Sequence, residues 1–570
     1  MNEDILKFEH FGFQYNAQSA PTLEDINLTV KKGEKVLIAG PSGCGKSTLI
    51  HCINGLIPFS YKGESTGKLT LCGKEKKDMS LFEISKIVGT VLQDSDAQFV
   101  GMTVAEDIAF ALENDCIGEP MLHERVHKVA KMVNLEDYLK QAPGDLSGGQ
   151  KQRVSVAGVM VDDVDVLLFD EPLANLDPAT GKQAVELIDE MQKATGAAVI
   201  IVEHRLEDVL HCDVDRIVLM QSGHIVVDTD ADTLLSGTYL KDNGIREPLY
   251  VTAMKYAGIE ITPDKKPHNI NSVLVDNEDT LKVQNWFKST KTALKESDAI
   301  VILSTKDLTF TYPNSTRQIL NDVNVDIHRG EMLAIVGTNG AGKSTFSKVV
   351  CGFETLTGGQ ILFNGEDFTT LSIKERAEHI GYVMQNPNQM ISKVMIYDEV
   401  ALGLKVRGMG DEEIQTRVEK ALKICGLWKF RKWPISALSF GQKKRVTIAS
   451  ILVLDPEMII LDEPTAGQDY RHYTDIMEFL KEINSLGITI AMITHDMHLM
   501  LEYADRAIVF SDGRIIADKS CADVLTDDDI IEKASLKKTS LYNLAVKCNI
   551  DEPTQFVEHF INYEGDNIYA

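Results

Sequence analysis

One nine-residue stretch occurs twice in this chain, and its surroundings repeat with it. Gly40-Pro41-Ser42-Gly43-Cys44-Gly45-Lys46-Ser47-Thr48 returns as Gly337-Thr338-Asn339-Gly340-Ala341-Gly342-Lys343-Ser344-Thr345. Each copy fits G-x-x-x-x-G-K-[ST] and follows an apolar run, residues 36–39 or 333–336. Glycines in such a loop let the backbone curl, so that successive N–H groups converge on phosphate oxygens. The lysine neutralises the outer phosphates and the serine hydroxyl faces Mg²⁺. Candidate nucleotide-binding residues are therefore Gly40, Ser42, Gly43, Cys44, Gly45, Lys46, Ser47 and Thr48. In the second copy they are Gly337, Asn339, Gly340, Ala341, Gly342, Lys343, Ser344 and Thr345. A chain with two such loops must fold around two triphosphate sites.

The repeat extends well beyond the loops. Phe13-Gln14-Tyr15 matches Phe310-Thr311-Tyr312, each tyrosine 31 residues before its loop lysine. Gln93 and Gln385, Ser147 and Ser439, and Glu171 and Glu463 are each 292 residues apart, and His204 and His495 are 291 apart. So steady an offset means one fold made twice. Apolar runs alternate with helical patterns, which implies an α/β core with a mostly parallel sheet in each half. Runs 166–169 and 458–461 end at the acidic pairs Asp170-Glu171 and Asp462-Glu463. Runs 198–202 and 488–493 lead to His204 and His495. Ligands of parallel sheets gather beyond the carboxyl ends of strands, where all of these residues fall. Residues 94–146 and 386–438 read as helical and charged, an inserted helical subdomain in each half.

The bulk composition narrows the setting. The 570 residues are 44% hydrophobic and 25% charged, enough for a sizeable core in each half. A formal charge of −27 speaks against nucleic acid or an anionic lipid surface as the main partner. Nine scattered cysteines form no C-x-x-C, which disfavours metal or disulfide roles and fits a reducing compartment. No apolar run reaches the 18 or so residues of a membrane-spanning helix, and Met1-Asn2-Glu3-Asp4 opens no signal peptide. Residues 241–300 interrupt the repeat with Pro248, Pro263 and Pro267, carry no net charge, and read as a connector with a helix near 281–294. The expected division is 1–240, the connector 241–300, 301–530, and an extension 531–570 that caps the second half.

Leu146-Ser147-Gly148-Gly149-Gln150 and Leu438-Ser439-Phe440-Gly441-Gln442 each precede a basic helix start. A serine and glycine amides at a helix N-terminus make an anion site. Loop, glutamine, LSGGQ-type segment, acidic pair and histidine follow in one order in both halves. In that order the chain resembles a tandem pair of ATP-binding cassette (ABC) ATPases over nearly its whole length. The resemblance implies two P-loop NTPase domains, each a mostly parallel sheet with a β-subdomain and a helical subdomain, forming an internal pseudo-dimer. It further implies that the phosphate loop of one half shares each ATP with the signature serine of the other: Lys46 with Ser439 and Gly441, Lys343 with Ser147 and Gly149.

The same resemblance assigns roles. Tyr15 and Tyr312 would stack on adenine. Ser47, Asp170 and Gln93, and in the second half Ser344, Asp462 and Gln385, would arrange Mg²⁺. Glu171 and Glu463 would orient or deprotonate the attacking water, His204 and His495 would sense the γ-phosphate, and both sites would be hydrolytically competent. Phe440 replaces a signature glycine, and Val202-Glu203-His204 departs from the commoner Thr494-His495.

Near Gln93 and Gln385, the segments 91–100 and 383–390 resemble the energy-coupling factor (ECF) branch of importers, in which a second glutamine follows. Here that residue reads as Gln98, with Gln389 one position earlier in the second copy. The branch implies an integral membrane coupling subunit and a substrate-binding membrane subunit as partners. Its cargo is a vitamin, a vitamin precursor or a metal cation, and its ATPase works at the cytoplasmic face of the cell membrane. A soluble twin-cassette ATPase on ribosomes is the alternative from another class, and a fused sugar-importer ATPase is a nearer one. The neutral, proline-containing connector counts against the first.

Overall fold

The computed structural model describes residues 3–93, 98–174, 176–289, 300–313 and 315–568. Two compact units result: residues 1–287 with 469–471 and 543–550, and residues 288–468 with 472–542 and 551–570.

The first unit contains strands β1 (Asp4–Tyr15), β2 (Leu23–Lys31), β3 (Lys35–Ala39), β4 (Gly63–Leu71), β5 (Lys74–Glu75), β6 (Val88–Val91), β7 (Val166–Asp170), β8 (Ala198–Val202), β9 (Arg216–Gln221) and β10 (His224–Thr229). A four-stranded antiparallel sheet runs β2-β1-β4-β5, and a six-stranded sheet runs β10-β9-β3-β8-β7-β6. In the larger sheet β6, β7, β8, β3 and β9 pair in parallel and only β10 is antiparallel.

Burial explains why the central strands are apolar without interruption. All five residues of β3 are buried, Val36, Leu37 and Ile38 completely, because a parallel sheet is covered on both faces. Leu37 and Ala39 join the core that includes Val104, Ile108, Val126 and Val156, whereas Val36 and Ile38 join the core shared with Leu6, Phe8 and Phe13 of the antiparallel sheet. Successive side chains point to opposite faces, so one short strand ties two layers together. Each of Val36, Leu37 and Ile38 contributes about 1.5–3 kcal/mol.

The second unit repeats the plan with β11 (Val301–Thr311), β12 (Gln318–His328), β13 (Met332–Gly337), β14 (Gly358–Phe363), β15 (Glu366–Asp367), β16 (Ile380–Val383), β17 (Met458–Asp462), β18 (Thr489–Ile493), β19 (Arg506–Ser511) and β20 (Arg514–Lys519). The sheets run β12-β11-β14-β15 and β16-β17-β18-β13-β19-β20. Ile459 and Leu461 face one core while Met458 and Ile460 face the other. Each half is therefore an α/β P-loop NTPase fold with a mostly parallel sheet and an antiparallel subdomain.

The expected helical insertions are present as Val104–Asn114 and Glu119–Met132, and as Ile396–Val406 and Asp411–Ile424. Thr103 starts its helix with a reciprocal cap, Thr103 Oγ1 accepting the Glu106 N–H while Glu106 accepts the Thr103 N–H. The connector helix spans Asn277–Lys288, and residues 290–299, where the sequence reading continued that helix, lie outside the described residues. Tyr250 anchors the connector: its ring is 1% exposed and its hydroxyl donates to the Pro267 carbonyl. Of the tail, residues 531–542 and 551–570 group with the second unit and residues 543–550 with the first. Among the described residues, no helix is long and apolar enough to cross a membrane.

Candidate functional site

Both phosphate loops leave the carboxyl end of a fully buried strand and enter a helix, Lys46–Ile53 after β3 and Lys343–Val350 after β13. Gly45 and Gly342, the residues just before those helices, have φ of 108° and 102°. That conformation is open to glycine and strained for other residues. Gly337 is constrained more severely, since a Cβ there would lie 1.9 Å from the Phe510 carbonyl oxygen. Lys46 is buried and its ammonium donates to the carbonyls of Gly40 (2.7 Å) and Pro41 (3.0 Å). Lys343 repeats this with Gly337 (2.8 Å) and Thr338 (2.9 Å). Each ammonium thus lies folded into its own loop. Cys44 is buried beneath the first loop, and burial pushes its thiol up, away from the reactive thiolate.

The aromatic residues are held by their loops as well. Tyr15 OH lies 3.1 Å from Thr48 Oγ1 and Tyr312 OH lies 3.3 Å from Thr345 Oγ1. Phe13 and Phe310 meet those rings edge-on at 4.8 Å, which fixes each half-exposed tyrosine beside the loop.

The acidic pairs end β7 and β17. Glu171 and Glu463 have φ of 47° and 48°, uncommon for a residue bearing a side chain. Each holds this conformation by donating its N–H across the sheet, Glu171 to Val202 O and Glu463 to Ile493 O, both at 2.9 Å. The outcome is a carboxylate turned back toward the neighbouring strand end. Glu171 accepts from Gln93 Nε2 at 2.7 Å and meets His204 Nε2 at 2.6 Å. Glu463 meets His495 Nδ1 at 2.7 Å. Burial acts to raise Glu171, but the hydrogen bond and positive charge of His204 outweigh it, and its pKa lies below the ordinary carboxylate value.

Asp170 behaves in the opposite way. Burial first, and the adjacent Glu171 second, push it up to about 6. Its Oδ1 is buried and, among the described residues, accepts no hydrogen bond. An orphaned buried carboxylate oxygen one residue from a second carboxylate, at the end of a strand beside a phosphate loop, is a donor set suited to Mg²⁺. Asp462 is more fully engaged, accepting from Tyr382 OH at 2.9 Å and from Ser344 Oγ at 3.5 Å. Burial raises its pKa, and those hydrogen bonds pull the other way. Ser47 and Gln385 are exposed.

Ser147 and Ser439 are N-caps of the helices Gly148–Met160 and Phe440–Leu452, and both are exposed. Each is closed by a capping box, Gln150 accepting the Ser147 N–H at 2.9 Å and Gln442 the Ser439 N–H at 3.1 Å. The S-x-x-Q spacing that specifies this box is visible in the sequence, so the structural role of Gln150 and Gln442 could have been read there. Gly149 and Gly441 lie in the first turn of the same helices. Phe440, the departure from the signature, is exposed, its ring 5.9 Å from Lys444 Nζ.

Register corrects one sequence pairing. Gln98 Oε1 accepts the Leu92 N–H (3.2 Å), and its Nε2 donates to Thr90 O (3.0 Å). In the second unit the Met384 N–H, at the matching place, points to Met390 Sδ at 3.2 Å. Met390, not Gln389, therefore occupies the position of Gln98, and the two loops are equal in length. Residues 94–97 of the first loop and Asn175 lie outside the described residues. Glu203, Gln152 and Lys444 were not singled out from the sequence as site residues. The structure places all three against the turns that carry Glu171 and Glu463.

Comparison with known proteins identifies the family. A family model described as ABC transporter matches residues 23–174 and again 320–466. A second, described as ATP-binding cassette cobalt transporter, matches residues 238–310. An ABC transporter ATP-binding protein of Clostridium perfringens is 58% identical over 560 residues, covering 98% of each chain. One from Enterococcus faecalis is 56% identical over 569 residues and covers 99% of each. Among solved structures, cbiO1 of Clostridium perfringens, described as part of the ABC transporter complex cbiONQ, is 38% identical. It covers 41% of this chain and 94% of that one, with a TM-score of 0.38. Two phosphate loops, two acidic strand ends and two capped signature helices, in a chain aligned end to end with such relatives, lead to one conclusion: this protein belongs to the ABC transporter ATP-binding family, carries two ATP-hydrolysing cassettes in a single polypeptide, and is the ATP-binding subunit of a transporter.

Proposed function

We propose that this subunit powers an importer of the ECF type, taking up a vitamin, a vitamin precursor or a metal cation. The observation that carries this reading is the match of residues 238–310, the stretch between the cassettes, to a family described as a cobalt transporter ATPase. That stretch lies outside both matches to the general ABC transporter model, so its identity does not rest on the motifs those matches share. The likeness of the segment after Gln93 to that branch, with Gln98 as its second glutamine, supports the same reading.

At each site the chain's own residues have separable tasks. The loop amides and Lys46 or Lys343 bind the phosphates, while Tyr15 or Tyr312 offers its ring face to adenine. Ser47, Asp170 and Gln93, or Ser344, Asp462 and Gln385, would hold Mg²⁺, which when bound neutralises phosphate charge. Glu171 and Glu463 take up the proton of the attacking water, and His204 and His495 hold those carboxylates in line. Ser147 with Gly149, and Ser439 with Gly441, each form a capped helix N-terminus suited to a phosphate oxygen. ATP then favours the closed state of the pair by as much as it binds that state more tightly, and hydrolysis removes the preference.

The protein would act at the cytoplasmic face of the cell membrane, attached through a coupling subunit and a substrate-binding subunit. Affinity purification of the tagged chain from detergent-solubilised membranes tests this. Two integral membrane proteins should co-elute, and ATP hydrolysis by the complex should respond to cargo. Recovery with ribosomes and without membrane proteins would overturn the proposal.

A further inference from the structure

The two cassettes secure the turn after their glutamates with different buried charges placed at different positions. In the second cassette Lys444, 1% exposed and on the helix Phe440–Leu452, donates its ammonium to the carbonyls of Glu463 (3.0 Å) and Pro464. The matching residue of the first cassette is Gln152, a neutral side chain whose Nε2 donates to Pro172 O at 2.8 Å. In the first cassette the charge comes from the other side of the turn. Glu203, 2% exposed at the end of β8, accepts the Leu173 N–H at 3.2 Å through one oxygen. Its other oxygen accepts the N–H groups of His204 (2.7 Å) and Arg205 (3.2 Å). Arg205 Nη1 completes the grip by donating to Leu173 O at 3.0 Å. The matching residue of the second cassette is Thr494, whose hydroxyl instead accepts the Asp496 N–H that starts the following helix.

Burying an ionisable side chain is costly, and each cassette places one against this same turn, which points to a specific role there. That turn begins at a residue in a strained left-handed conformation, so without restraint it would relax and swing the carboxylate away. We propose that Glu203 and Lys444 are positioning residues for hydrolysis: each fixes the backbone after its glutamate and thereby aims the carboxylate. Because the anionic grip belongs to one cassette and the cationic grip to the other, the two ATP sites are chemically non-equivalent despite their matching motifs. This inference rests on the reading of Glu171 and Glu463 as the residues that activate water.

The test uses the full chain and steady-state ATP hydrolysis. E203T and K444Q each install the residue that the other cassette carries in that place, and a native-like thermal melt checks the fold of each variant. The double variant E203T K444Q should lose about tenfold or more in kcat, as expected when a reacting group shifts by a fraction of an ångström, while KM for ATP stays within twofold. The conservative pair E203D K444R, which keeps both carboxylate acceptors and the buried cationic donor, should recover part of the loss. If E203T K444Q hydrolyses within twofold of the native rate, or loses activity through a rise in KM, the positioning role is wrong. E171Q E463Q, measured alongside, separates the two failures: unchanged turnover there overturns the glutamate assignment itself, whereas a collapse there with no effect of E203T K444Q overturns only this inference.

Discussion

Replacing both glutamates by glutamine in one chain, E171Q E463Q, isolates the chemical step from nucleotide binding. Glu171 is held between Gln93 Nε2 at 2.7 Å and His204 Nε2 at 2.6 Å, and Glu463 meets His495 Nδ1 at 2.7 Å. A glutamine amide retains one acceptor oxygen for the histidine, and at position 171 its NH2 group requires Gln93 to turn its own amide and present the oxygen instead. What the substituted side chain loses is basicity. A positioned base contributes about 10²–10⁴ in rate, which at about 1.36 kcal/mol per decade corresponds to roughly 3–5 kcal/mol of barrier. Turnover should therefore fall by at least about a hundredfold, with nucleotide affinity within about threefold of native. The assay is phosphate release under saturating ATP, paired with equilibrium titration of a fluorescent nucleotide. Native turnover in the double variant would refute the reasoning, because neither glutamate would then be the base. Each single variant should retain part of the activity if the sites work independently, and almost none if closure requires both.

Further outcomes follow from the same geometry. Y15A Y312A should raise KM for ATP by about five- to a hundredfold through loss of roughly 1–3 kcal/mol of base stacking per site, with kcat little changed, read by ATP titration. G337A forces a Cβ to within 1.9 Å of Phe510 O at a φ of 136°, so it should destabilise the second unit by about 1–3 kcal/mol, seen as a lower thermal midpoint and weakened nucleotide protection. R376M removes a guanidinium that is 4% exposed and donates to the carbonyls of Val349, Val350, Thr369 and Leu371. Leaving those carbonyls unpaired should cost about 3 kcal/mol or more, measured by chemical denaturation.

The sequence by itself determined a good deal here. Two phosphate loops at a constant offset require one α/β fold made twice, since a loop of this kind works only between a buried strand and the helix it feeds. Unbroken apolar runs marked β3, β7 and β8 and their counterparts, because a parallel strand covered on both faces has no polar side to alternate with. Position beyond those strands then gathered Gln93, Glu171 and His204, which do meet in the structure. Even the capping boxes at Ser147 and Ser439 are written in adjacent residues, three apart.

Only the tertiary structure decided what depends on partners distant in the chain. Gln389 looked like the counterpart of Gln98 by residue type, yet the backbone puts Met390 there, because register is set by strand pairing and not by side-chain identity. Glu203 read as a departure from a pattern, and Lys444 as one more basic residue after a signature. Their roles emerge when a strand end and a helix close on the same turn, Glu203 reaching a residue 30 positions away and Lys444 one 19 positions away. Buried charge takes its meaning from what encloses it, and enclosure is a property of the fold.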